Sequence, residues 1–146
     1  MPVAEMRGFA SIEPAAVPAI LVNNKDDPRA RAFTLLHELG HLILAARGER
    51  VGPRTERWCE SFAGKMLMPT KWLRDQWGAS VATTSLGRVH DVALAFRVTP
   101  RAAAVRVLRA GLVSSEEGGP LIGHIHARWQ APDEERQSGG NYYFNL

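Results

Sequence analysis

Between Pro28 and Arg47 the apolar residues Leu35, Leu36, Leu39, Leu42, Ile43 and Leu44 recur at helical spacing. Asp27 stands at the N-cap position, Pro28 at the first helical position and Gly48 just past the last turn, so a helix is predicted over 28–47. A second helix is predicted from Thr55, which can cap it, through Trp58, Cys59, Phe62, Ala63, Met66 and Leu67 to a stop at Met68-Pro69. A short helix follows from Lys71 to Trp77. Residues 85–97 and 100–110 repeat the apolar period, with Thr99-Pro100 opening the second of them and Gly111 just beyond its end. Two stretches read as strands. Residues 18–23, PAILVN, are one. In 120–130, Leu121, Ile125, Ala127 and Trp129 alternate with His124, His126, Arg128 and Gln130, which predicts a half-buried strand with a polar face. Residues 114–119, SSEEGG, read as a flexible loop.

The first helix carries chemistry as well as pattern. His37-Glu38-Leu39-Gly40-His41 places two imidazoles at i and i+4, on one face, where both can direct a nitrogen at one metal ion. Glu38 lies about 100° around the axis from His37. It can reach a metal-bound water without joining the ligands, which suits a general base. Zinc lowers the pKa of such a water to about 7, so the implied reaction is hydrolysis of an amide. The leucines around the motif are expected to carry the histidines into the core, where a metal would satisfy them.

Zinc at a catalytic site takes a third protein ligand and keeps one position open. Glu56 and Glu60, one turn apart in the second helix, are the candidates. One can ligate while the other accepts the distal N–H of a ligating histidine and fixes its tautomer. Glu56 is assigned as ligand and Glu60 as its support or as the alternative ligand.

The frame NNKDDPRARAFTLLHELGHLILA followed by ERWCESFAGKMLMP resembles the ImmA/IrrE-type zinc metallopeptidases over most of the chain. In that family HExxH is followed by a Glu-x-x-(Ala/Cys)-Asn-x-x-Ala segment ending in Leu-Met-Pro, and the Glu that opens it is the third zinc ligand. By position that residue is Glu56, while Cys59, Ala63, Leu67, Met68 and Pro69 match the framework. Glu60 departs, standing where relatives usually have Asn. The resemblance implies an α+β, mainly helical, zincin-like (gluzincin-type) fold with a small sheet beside the cleft. It implies Zn2+ bound by His37, His41 and Glu56, with Glu38 activating water. It also implies that the substrate is a protein, a DNA-binding transcriptional repressor of stress or mobile-element genes. The closing SGGNYYFNL resembles a Gly-Gly-(Asn/Asp)-x-Tyr segment that continues further in longer relatives; its stop at Leu146 implies a more open cleft or one that a partner completes. No N-terminal regulatory DNA-binding domain of the kind some relatives carry is expected.

Composition narrows the remaining choices. At 146 residues and 45% hydrophobic, without a dividing linker, the chain is expected to be a single domain over 1–146. MPVAEMRGF lacks the features of a signal peptide and no apolar run approaches 20 residues, so a cytoplasmic protein without membrane contact is expected. The single cysteine, Cys59, sits on the apolar stripe and is assigned to packing rather than to thiolate ligation. A net charge of +3 comes from scattered arginines without a basic arm.

The rival reading is a binding module, for a repressor or for DNA, or a toxin-antitoxin-type component acting by binding. Residues 85–97 and 100–110 have the look of a helix-turn-helix, in which Arg101, Arg106 and Arg109 could reach DNA. The second of these helices lacks Asn and Gln for base reading, so packing is the preferred role and direct nucleic-acid binding is not expected. His124 and His126 are placed on the cleft as candidates for stabilising an oxyanion. His90, without a spacing partner, is assigned to surface or packing.

Overall fold

The computed structural model describes residues 6–11 and 17–130. The described residues are mainly helical with one two-stranded sheet, as an α+β reading expects. Strand β1 (Gly8–Ser11) pairs antiparallel with β2 (Ala19–Val22), with Gly8 opposite Val22 and Ser11 opposite Ala19. Six helices follow: α1 (Pro28–Ala45), α2 (Pro53–Leu67), α3 (Thr70–Ala79), α4 (Ser85–Ala95), α5 (Pro100–Arg109) and α6 (Ser115–Gln130). Both strands lie on α1, α1 packs on α2, and α2 meets α5, which sits between α4 and α6.

The helix ends follow their sequence signals. Asp27 Oδ1 accepts the backbone N–H of Arg29 at 2.8 Å, satisfying one of the donors left open at the start of α1. The Arg29 guanidinium, held on the same carboxylate, keeps Asp27 below the usual carboxylate range. Gly48 closes α1 at φ +76° and Gly111 closes α5 at φ +70°, both in the left-handed region that glycine enters without steric cost. Thr99 caps α5 by accepting the Ala102 N–H at 3.2 Å.

Three expectations are corrected. The strand predicted at 120–130 is the C-terminal part of α6, and the loop predicted at 114–119 holds its start. Ser114 Oγ accepts the Glu117 N–H at 3.2 Å and the Ser114 carbonyl accepts the Gly118 N–H at 2.8 Å, so Ser114-x-x-Glu117 opens a helix. Gly118, Leu121, Ile122 and Ile125 then form a stripe at i, i+3, i+4 and i+7 against the core. A side chain at Gly118 would run into Leu108, with Cδ1 only 2.6 Å from the added carbon. Strand β1 was not expected at all.

The third correction concerns the core. Its fully buried members Met68, Leu73, Val89, Val92, Val98 and Val107 come from the end of α2, from α3 to α5 and from the α4–α5 turn. The leucines of α1 are not among them, and Leu35 is 47% exposed. The helix with the histidine motif therefore lies beside the main core rather than inside it. The C-terminal SGGNYYFNL lies outside the described residues.

The helical stripe makes a prediction that a strand would not. Ile122 would share the polar face of a strand but packs against the core in α6. Ile122→Ser is therefore expected to lower stability by about 1–3 kcal/mol, read as a lower urea midpoint, whereas an unchanged midpoint would return 120–130 to the strand assignment.

Candidate metal centre

His37 and His41 leave the same face of α1, and Glu56 reaches them from the first turn of α2. The two Nε2 atoms are 3.1 Å apart. Glu56 straddles them, with Oε2 at 3.2 Å from His37 Nε2 and Oε1 at 3.3 Å from His41 Nε2. Hydrogen bonds from the imidazoles to the Glu56 carboxylate satisfy at most two edges of this triangle. Each Nε2 carries at most one proton, so if both are donated to Glu56 the 3.1 Å edge between the nitrogens is left without a hydrogen bond. A metal at the centre satisfies all three. Ligand bonds of about 2.0–2.1 Å in tetrahedral geometry require ligand atoms about 3.3–3.4 Å apart, close to the edges observed. Among the described residues this is the group able to hold a metal ion. The donor set and spacing fit the ion that the sequence implied.

Glu38 follows His37 in the chain and points to the side of α1 covered by β1. A side chain added at Gly8 would lie 3.6 Å from Glu38 Cγ, 2.6 Å from Thr34 Cγ2 and 2.9 Å from the Leu21 carbonyl. Glycine at position 8 thus lets the strand pass directly over Glu38. Among the described residues no hydrogen-bond or ion-pair partner takes the Glu38 carboxylate, which leaves it available to a small molecule. No pattern rule pointed to Gly8.

A second glycine brings the two ligand-bearing helices together. Gly40 is buried at the α1–α2 contact, and a Cβ there would meet Cys59 Sγ at 3.0 Å and the Cys59 Cα and Cβ at 3.3 Å. Cys59 is fully buried. Burial pushes its thiol up to about 11, with the neighbouring Glu56 and Glu38 charges adding to the rise, so it stays protonated and packs.

Glu60 is not drawn into the triangle. Its Oε2 takes the Arg109 guanidinium of α5, one helix away from the histidines. This differs from the expected contact with a ligating imidazole, because Glu60 lies further round α2, on the side that faces α5. His124 and His126 are exposed on α6, whose packing partner is α5, so they do not form the polar strand face expected beside the cleft. His90 is half-buried on α4, and burial followed by the nearby Arg128 charge lowers its pKa.

The helix-turn-helix arginines are also accounted for in part. Arg106 is buried, donating from Nε to the Met68 carbonyl at 3.2 Å and from Nη2 to Thr70 Oγ1 at 2.7 Å. It closes the C-terminal end of α2, where open carbonyls and the negative end of the helix dipole favour a cation. Arg109 is the partner of Glu60, which leaves Arg101 exposed. Helix α5 here braces α2, and α4 packs on α5.

A sequence profile describing the IrrE N-terminal-like domain, peptidase family M78, matches residues 1–108, from the N-terminus through most of α5. The chain belongs to this family. The ImmA/IrrE resemblance read from HELGH and ERWCESFAGKMLMP is thereby shown, and with it membership of a metallopeptidase family. No curated protein and no solved structure is significantly similar to the chain. Helix α6 lies beyond the matched residues. No helix among the described residues is long and apolar enough to cross a membrane.

The Gly40 contact generates a test of how the triangle is held. In Gly40→Ala the added methyl is expected to separate α1 from α2 and weaken Zn2+ binding about tenfold or more, the scale seen when supports around metal ligands are altered. Helix content by circular dichroism should be kept. Unchanged affinity in a competition titration with a chromogenic chelator would show that the helix spacing does not set the site.

Proposed function

We propose that the protein is a cytoplasmic zinc-dependent endopeptidase of zincin-like (gluzincin-type) fold that cuts a peptide bond in a specific protein, a DNA-binding transcriptional repressor. The observation that carries the reading is the triangle of His37, His41 and Glu56 with Glu38 next to it on the same helix. His37, His41 and Glu56 would hold the ion and leave one tetrahedral position open. Zinc, when bound, supplies a Lewis acid that polarises the scissile carbonyl and brings the pKa of a water to about 7.

The remaining steps fall to the protein. Glu38 takes the proton from the attacking water and passes it to the leaving amine as the C–N bond breaks. Strand β1, crossing over Glu38 at Gly8, keeps the carboxylate from bulk solvent on that side. A binding module would need the two histidines at most as packing; it would have no use for an unpartnered carboxylate beside them. The repressor as substrate rests on the family resemblance, which also suggests that it is encoded beside this chain.

Glu38→Gln separates chemistry from binding. The variant is expected to hold Zn2+ within about twofold of the parent and to lose cleavage of the neighbouring repressor by about 10²–10⁴-fold, the range for a general base. Cleavage products are read by mass spectrometry and metal by elemental analysis. Parent protein loaded with zinc that binds the repressor stoichiometrically without cutting it would instead establish the binding-module reading.

A further inference from the structure

The charges of α2 are sorted by side. Its two acidic residues turn to neighbours inside the fold, Glu56 to the histidines and Glu60 to Arg109. Arg54, Arg57 and Lys65 share with Trp58 the exposed face at i, i+3, i+4 and i+11. Arg47 and Arg50 are also exposed in the connection from α1 to α2, with the exposed Glu49 between them. None of the five makes an ion pair with another described residue, so on α2 itself the exposed cations stand without a paired counter-charge.

An apolar ridge runs along one border of these cations. Trp58 stacks on Phe62 with ring centroids 5.2 Å apart and planes 6° from parallel, and Met66 continues the line one turn on. Trp58 is 40% and Met66 57% exposed. A solvated helix face ordinarily mixes charges of both signs and keeps large apolar groups away from water. This face does neither, and Arg, Trp, Phe and Met are the residue types enriched at protein interfaces.

We infer that this face of α2 is a docking surface for an acidic polypeptide segment carrying at least one apolar side chain, supplied by the substrate. Charge complementarity selects the partner: the cations pair with its carboxylates, and the Trp58–Phe62–Met66 ridge takes its apolar residue. Glu56 lies about 160° round α2 from Arg54 by helical periodicity, so a segment held here occupies the side of the helix away from the metal ligands and would engage the substrate outside the cleft. Arginines can read bases as well as carboxylates, and it is the apolar ridge of Trp58, Phe62 and Met66 beside them that favours a polypeptide here. The identity of the partner as substrate rests on the peptidase reading, whereas the surface itself does not.

The test uses the full chain with Glu38→Gln, so that binding is read without turnover. The probe is a fluorescein-labelled peptide of Asp and Glu residues with one Leu and one Phe, followed by anisotropy at physiological salt. A peptide with the acids changed to Ser and a single-stranded DNA of equal length serve for comparison. The acidic peptide is expected to bind, and to lose roughly tenfold in affinity in Arg54→Glu/Arg57→Glu and in Trp58→Ala, the scale of losing a central interface side chain. Arg74→Glu/Arg101→Glu, on exposed positions of α3 and α5, makes the same change in net charge and is expected to have little effect. Equal losses in the two reversed pairs would reduce the effect to net charge and overturn the inference. Tighter binding of the DNA through Arg54 and Arg57 would overturn it in favour of a nucleic-acid surface, as would no binding of any probe. Peptide binding without repressor cleavage by the parent protein would sink the peptidase reading alone, and cleavage without peptide binding would sink the docking surface alone.

Discussion

The closest constraint in this structure is the meeting of Gly40 with Cys59. Two imidazoles on α1 and a carboxylate on α2 can form a triangle with edges of 3.1 to 3.3 Å only if the helix axes come unusually near each other. Gly40 removes the side chain that would keep them apart, and Cys59 presents a small buried group opposite. Metal affinity depends steeply on ligand placement, so the glycine inside the His37–His41 pentapeptide acts on the chemistry through helix spacing. Its effect is on distance, since φ there is helical and backbone freedom is not at issue.

The parts of the site that were legible in the sequence are those fixed by one helix or by a local signal. His37, Glu38 and His41 are related by helical geometry alone, and Asp27, Pro28 and Gly48 mark the bounds of their helix. Glu56 needed more, because spacing offered Glu60 equally; the family frame favoured the first and the structure directs the second to Arg109. Gly8, Arg106 and the Glu60–Arg109 pair were not legible, for each contact joins residues whose separation along the chain follows no period.

Helix α6 shows why pattern can mislead. Leu121 and Ile125, four apart, satisfy a period of two and a period of 3.6 equally well, and His124, His126 and Arg128 completed an apparent alternation. Gly118-Gly119-Pro120 then looked like a break. Ile122 and the Ser114-x-x-Glu117 cap were the discriminating signals, since both belong to a helix and neither to a strand. Gly118 is required by the Leu108 side chain lying against it, and Pro120, within the helix, removes one N–H donor without ending it.

The position of the main core explains the division of labour between the two halves. Helices α3 to α6 bury Leu73, Val89, Val92, Val107 and Ile125, and Arg106 ties this block to the end of α2 through the Met68 carbonyl. Helix α1 has no such store of buried side chains; it is held by the hairpin on one side and by the Gly40–Cys59 contact on another. A metal bound by both α1 and α2 would therefore add a cross-link between two helices that lie outside the main core, and any ion that binds the folded form stabilises it by mass action. On its other side, among the described residues, α1 carries only the two-stranded sheet, so Glu38 lies beneath a four-residue strand rather than under a layer of core.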